Sequence, residues 1–115
     1  MKKLFLWIVA ATLLAACPAP EPSPELTPST PEAGMTGGMC SGIAAISCKN
    51  AADFCFKEDG VCLQIADSAG ICTPKPEGCT REFVPVCGCD GRTYSNRCVA
   101  HSNGVSVASL GECTQ

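Results

Sequence analysis

The stretch CTREFVPVCGCDGRTYSNRC, Cys79 to Cys98, decides the fold. It reads as a short exposed loop clamped at both ends. Val84 precedes Pro85 and is pushed out of the helical region, so Thr80 to Val84 is extended. Pro85 fixes its own φ, and half-cystines at 79 and 87 pin the segment to what lies beneath. Asp90-Gly91 is a tight-turn signal leading into the β-prone pair Thr93-Tyr94. The loop carries one arginine, Arg81, on its extended arm.

Cys79, Thr80, Arg81, Glu82, Phe83, Pro85, Val86, Cys87, Gly88, Asp90, Gly91, Thr93, Tyr94, Asn96 and Cys98 together resemble the Kazal type of serine-protease inhibitor. The resemblance runs over residues 72–113. It implies a small disulfide-rich α+β fold, one short helix on a small antiparallel sheet. It also implies a reactive loop of Thr80, Arg81, Glu82 and Phe83 supported from behind by Asn96. Arg81 would be the primary-specificity residue and Arg81–Glu82 the bond offered to a trypsin-like serine protease. Clefts of that kind place a carboxylate under a long cationic side chain.

Working outward, residues 99–115 supply the rest of that unit. Ser95 or Asn96 can cap a short helix and Asn103-Gly104 can stop it, while Val105 to Ala108 alternates as a half-buried strand. His101 is expected on the surface of the helix. Upstream, Thr73 to Gly78 reads as a linker stiffened by Pro74 and Pro76. Residues 40–71 form a small Cys-rich module in which Asn50 to Phe56 reads as one or two helical turns. Lys57 to Gly60 reads as a tight turn, and Ala69 to Cys72 as a return strand. A Cys-rich unit directly before a Kazal-like unit resembles the order in follistatin-like domains. Asp53, Glu58, Asp59 and Asp67 are expected as solvated charges, since no alternating oxygen-ligand loop for calcium is present.

Residues 18–39 hold most of the chain's nine prolines among Ser, Thr, Glu and Gly, so residues 17–39 are expected to be a disordered tether. Residues 1–16 have the form of an export signal: Lys2-Lys3, an apolar run from Leu4 to Leu14, and Leu14-Ala15-Ala16-Cys17. The run is too short to span a bilayer. Its end resembles a bacterial lipobox, which implies diacylation of Cys17 and a membrane anchor made of lipid. Pro18 stands where many inner-membrane lipoproteins carry aspartate, so the expected address is the outer membrane, periplasmic or surface-exposed.

Eleven cysteines in 115 residues signal a disulfide scaffold in an exported chain. With Cys17 lipidated, ten remain to pair. By the family's usual frame, Cys79 pairs with Cys98 and Cys87 with Cys113. Cys72 opens the frame, but His101 stands where its partner would be, and Cys89 is extra. The simplest repair is Cys72–Cys89, which leaves Cys40–Cys55 with Cys48–Cys62 as the preferred remainder among three pairings. Cys48 with Cys72 and Cys62 with Cys89 is the alternative.

Composition excludes other classes. Removing Lys2 and Lys3 leaves six basic against eleven acidic residues, a net charge of −5 with no basic stripe, so nucleic-acid binding has no electrostatic support. No Cys-x-x-Cys pair occurs and there is one histidine, so no metal or cofactor is expected. No set of catalytic side chains can be assembled, so the chain is not expected to be an enzyme. The function implied is serine-protease inhibition from a lipid anchor; the alternative is a non-inhibitory, follistatin-like binding module.

Overall fold

The computed structural model describes residues 16–20 and 29–114. The export signal, apart from Ala16, and part of the proposed tether (21–28) lie outside the described residues, as does Gln115. The folded part contains two three-stranded antiparallel sheets. The first holds β1 (Met39–Ser41), β3 (Ala69–Pro74) and β2 (Asp53–Phe56), with β3 in the centre. The second holds β5 (Thr93–Tyr94), β4 (Val86–Gly88) and β6 (Val107–Leu110), with β4 in the centre. Two short helices complete it: α1 (Val61–Gln64) and α2 (Arg97–Ser102). This is the small disulfide-rich α+β architecture expected of residues 72–115, joined to a second sheet.

The segment expected to be helical is instead β2. Asn50 forms a side-chain turn, its Oδ1 accepting from the Ala52 amide at 3.0 Å, and the chain then pairs Phe54 with Thr73 and Cys55 with Cys72 on β3. The alternation of aromatic residues at 54 and 56 suits a pleated strand better than one helical turn. Gly70 on β3 lies so close to the Phe56 carbonyl and to Cys55 Sγ that any Cβ would collide with backbone.

The first unit begins earlier than expected. The Gly34 amide donates to the Met39 carbonyl, the Gly37 amide to Cys72, and the Cys72 amide to Gly38, at 2.7 to 2.9 Å. Residues 34–39 are therefore bonded into the first unit rather than being tether, with Gly37 and Gly38 continuing the pairing to Cys72 on β3; a Cβ at Gly38 would collide with the Glu32 carbonyl. The Thr36 hydroxyl also donates to Asp53 Oδ2, and Asn50 Nδ2 to Asp53 Oδ1. Asp53 is buried, not a solvated charge.

Five disulfides join the described cysteines: Cys40–Cys55, Cys48–Cys72, Cys62–Cys89, Cys79–Cys98 and Cys87–Cys113. The preferred Cys72–Cys89 and Cys48–Cys62 pairs are thus replaced by the alternative. The reason is topological. Cys72 is buried in the middle of β3, with its sulfur within 4.8 Å of those of Cys40 and Cys48. Cys89 lies in the other sheet's turn, beside α1, and so meets Cys62.

The second sheet closes over a small core of Val86, Ala100 and Val107, with Tyr94 packed against it. Ser106, Val107 and Ala108 are buried in succession rather than alternately. The strand entry is covered on both sides, because the first unit packs there: the Lys57 amide donates to Ser106 Oγ at 2.9 Å and the Gly60 amide to the Val107 carbonyl at 3.0 Å. The Ser106 hydroxyl in turn donates to the Cys55 carbonyl at 3.3 Å. The two units share one continuous interior seam.

Candidate functional site

The loop from Cys79 to Pro85 has no ladder partner and must be held by side chains. Asn96 does most of this. It is buried, and its Nδ2 donates to the carbonyls of Thr80 (3.1 Å) and Glu82 (2.9 Å), on either side of Arg81. Its Oδ1 accepts from the Val99 amide at 2.9 Å and so caps α2. One amide group thereby ties the loop to the start of a helix, using both donor and acceptor. The Val84 amide adds a bond to the Ser95 carbonyl at 2.9 Å, and the Cys79–Cys98 disulfide fixes the loop's other end to α2.

On the outer face the Thr80 hydroxyl donates to Glu82 Oε1 at 2.7 Å, bridging over Arg81. Arg81 and Phe83 are exposed, Phe83 by 69%. Arg81 enters no ion pair among the described residues. The arrangement is a backbone segment tied down on both sides of Arg81, displaying an exposed arginine and an exposed aromatic ring. Thr80, Arg81, Glu82, Phe83 and Asn96, singled out in the sequence, come together here.

The turn that closes the β4–β5 hairpin, at its far end from the loop, is secured by Asp90. The Tyr94 hydroxyl donates to its Oδ2 at 2.6 Å and the Arg92 amide to its Oδ1 at 3.1 Å. Desolvation acts to raise the Asp90 carboxyl, but these donors outweigh it and hold the group below the ordinary carboxylate range. The same bond pushes the Tyr94 hydroxyl up. Gly88 sits under this pair, where a Cβ would meet Asp90 Oδ1 at 2.5 Å and the Tyr94 ring at 2.8 Å.

Two contacts at α2 were not foreseen. Arg97 makes a two-pronged ion pair with Asp59 of the first unit, Nη1 to Oδ1 at 3.0 Å and Nη2 to Oδ2 at 2.6 Å. His101, expected at the surface, is half-buried against Phe54 and Phe56, with ring centroids 5.3 and 5.6 Å away. Its Nε2 is buried and makes no hydrogen bond. Desolvation, then the nearby Arg97, lowers its pKa, against a smaller opposing pull from Asp59. Nothing local marks Asp59 or Phe54 as partners of α2, since both are some forty residues away in the chain. The only sequence signal was His101 itself, standing where the family pattern expects a half-cystine.

Comparison with known proteins gives a consistent picture for this region. Residues 72–113 match the Kazal-type serine protease inhibitor domain. An ovomucoid of Eudromia elegans is 48% identical over 44 residues, covering 35% of this chain and 84% of the relative. An ovomucoid of Aepypodius arfakianus is 45% identical over 49 residues, 36% of this chain and 91% of the relative. "Protease inhibitor 2" of Cenchritis muricatus is 44% identical over 43 residues, 32% of this chain and 86% of the relative.

Proposed function

The chain belongs to the Kazal-type serine protease inhibitor family, and from that premise we propose that it inhibits trypsin-like serine proteases by offering Arg81–Glu82 as a substrate-shaped bond. Family membership and a relative named as a protease inhibitor support serine-protease inhibition. The finer reading rests on one observation: Asn96 holds the carbonyls on both sides of Arg81 while leaving that side chain free.

The physical consequences are direct. The loop is ordered on folding, so binding loses little loop entropy and tight association is accessible. Arg81 enters an acidic specificity pocket, where only Lys or Arg finds a partner. The protease serine attacks the Arg81 carbonyl carbon and the Glu82 amine leaves. The Cys79–Cys98 disulfide and Asn96 hold that amine next to the acyl-enzyme, so re-forming the peptide outcompetes hydrolysis. The Thr80–Glu82 hydrogen bond restrains the same two flanks.

Export and anchoring belong to the same proposal. The lipobox-like Leu14-Ala15-Ala16-Cys17 supports a lipid on Cys17, the one free cysteine among the described residues, and a site in a bacterial envelope facing the periplasm or the outside. Residues 17–33 would then be the tether. The second reading, a non-inhibitory follistatin-like binding module, is favoured by the absence of the family's link from Cys72 to the helix.

Titration of trypsin with the oxidised chain and its Arg81→Ala variant tests the proposal. Stoichiometric inhibition lost in the variant is the expected result. Equal behaviour of both chains would overturn it and leave the binding-module reading.

A further inference from the structure

The loop's supports converge on the first turn of α2: Asn96 caps it, Cys98 lies within it, and Ser95 immediately precedes it. In the family frame a half-cystine at position 101 would tie this helix down, and here that position is His101. The helix is instead gripped at both ends by the first unit. At its start Asp59 takes both guanidinium nitrogens of Arg97. In its last turn His101 packs against Phe54 and Phe56, which also face each other edge-on at 6.2 Å. Between the two, Cys62–Cys89 and the bonds of Lys57 and Gly60 to the β6 entry keep the units in register.

We propose that Asp59 and the Phe54–Phe56–His101 cluster are positioning residues, through which the upstream unit holds α2 and thereby sets how firmly the Arg81 loop is supported. The upstream unit is then part of the inhibitor rather than a neighbouring module with a separate task. Two of its elements reach α2 at points one helical turn apart, which fixes both the tilt and the rotation of so short a helix. Asn96 and Cys98 move with that helix, and the carbonyls of Thr80 and Glu82 move with Asn96. The consequence for protease binding rests on the function proposed above; the consequence for loop order does not.

The test uses the oxidised chain with Asp59→Ala, His101→Ala, the conservative His101→Phe, and the charge-swapped pair Asp59→Arg with Arg97→Asp. Hydrogen exchange of the Val84 amide, bonded to Ser95, reads loop support without a protease, with the β4–β6 ladder amides as the internal reference. Cleavage of Arg81–Glu82 by trypsin reads the same support in function. Asp59→Ala should speed Val84 exchange relative to the ladder, and speed cleavage, by about two- to fivefold, the range of an exposed ion pair. His101→Ala, losing two ring contacts, should do so by about tenfold, while His101→Phe stays near the parent. The swapped pair should restore the parent rates, which a purely structural role for each charge would not produce. Val84 exchange that keeps pace with the ladder in both alanine variants overturns the inference. If trypsin ignores even the parent chain, the proposed target fails and the exchange data alone decide the brace.

Discussion

Replacing Asn96 separates its two jobs, because its acceptor caps α2 and its donor holds the loop. Asn96→Ala removes three hydrogen bonds: those to Thr80 and Glu82 and the one from Val99. At about 1 kcal/mol net for each loop bond and about 1 kcal/mol for the cap, the folded chain loses about 3 kcal/mol. Asn96→Asp keeps an oxygen for the Val99 amide but has no donor, and sets a carboxylate against two carbonyls. It should retain more of the helix than the alanine variant while supporting the loop no better. The two loop bonds alone are worth about 2 kcal/mol, which corresponds to an inhibition constant raised about 30-fold, and repulsion adds to that. The assay is trypsin inhibition at equilibrium, with the rate of Arg81–Glu82 cleavage followed by mass and thermal unfolding measured alongside. The expected pattern is a weak, readily cleaved inhibitor in the aspartate variant, whose melting temperature lies above that of the alanine variant. An aspartate variant that inhibits within about threefold of the parent would refute the account of how the loop is held.

Two further outcomes follow from the seam between the units. Desolvation, then Arg97, lowers the His101 pKa in the fold below its unfolded value, so the unfolded chain binds more protons and stability falls as pH drops below about 6.5. The charged groups that face it are Arg97 and Asp59; thermal melts of His101→Phe should lose this part of the pH dependence and keep the acid loss attached to Asp90. Replacing both Cys62 and Cys89 by Ser opens a loop with a sequence separation of 27 and removes the only disulfide, among the described residues, from residues 34–72 to the second sheet. Denaturant unfolding should show a loss of up to about 3.5 kcal/mol, less where the interleaved Cys48–Cys72 bridge already restrains the chain.

Much of the site was legible in the sequence. Local rules placed Thr80 to Val84 in an extended loop, Asp90-Gly91 in a turn and a helix start at Ser95 or Asn96, of which the structure uses Asn96, because proline geometry, turn chemistry and capping act over a few residues. Where local rules gave the wrong element, a distant partner had overruled them. Asn50 to Phe56 has a helix-compatible composition, yet β3 supplies pairing partners farther along the chain and in register, such as Thr73 for Phe54 and Ile71 for Phe56, and the strand wins.

The extended loop, its arginine and the count of cysteines follow from residues within twenty positions of one another, and the role of Asn96 behind the loop from the family resemblance those residues carry. The sequence left the pairing of Cys48, Cys62, Cys72 and Cys89 open between two frames, because both keep every thiol paired and differ only in which sheet Cys72 joins. Tertiary structure decided that by burying Cys72 in the middle strand of the first sheet. It also decided the environments of Asp53, Asp59 and His101, which read as surface residues when taken singly. Thr36 reaches Asp53 through the fold of the first unit, and the packing of the two units brings Arg97 to Asp59 and the two phenylalanines to His101.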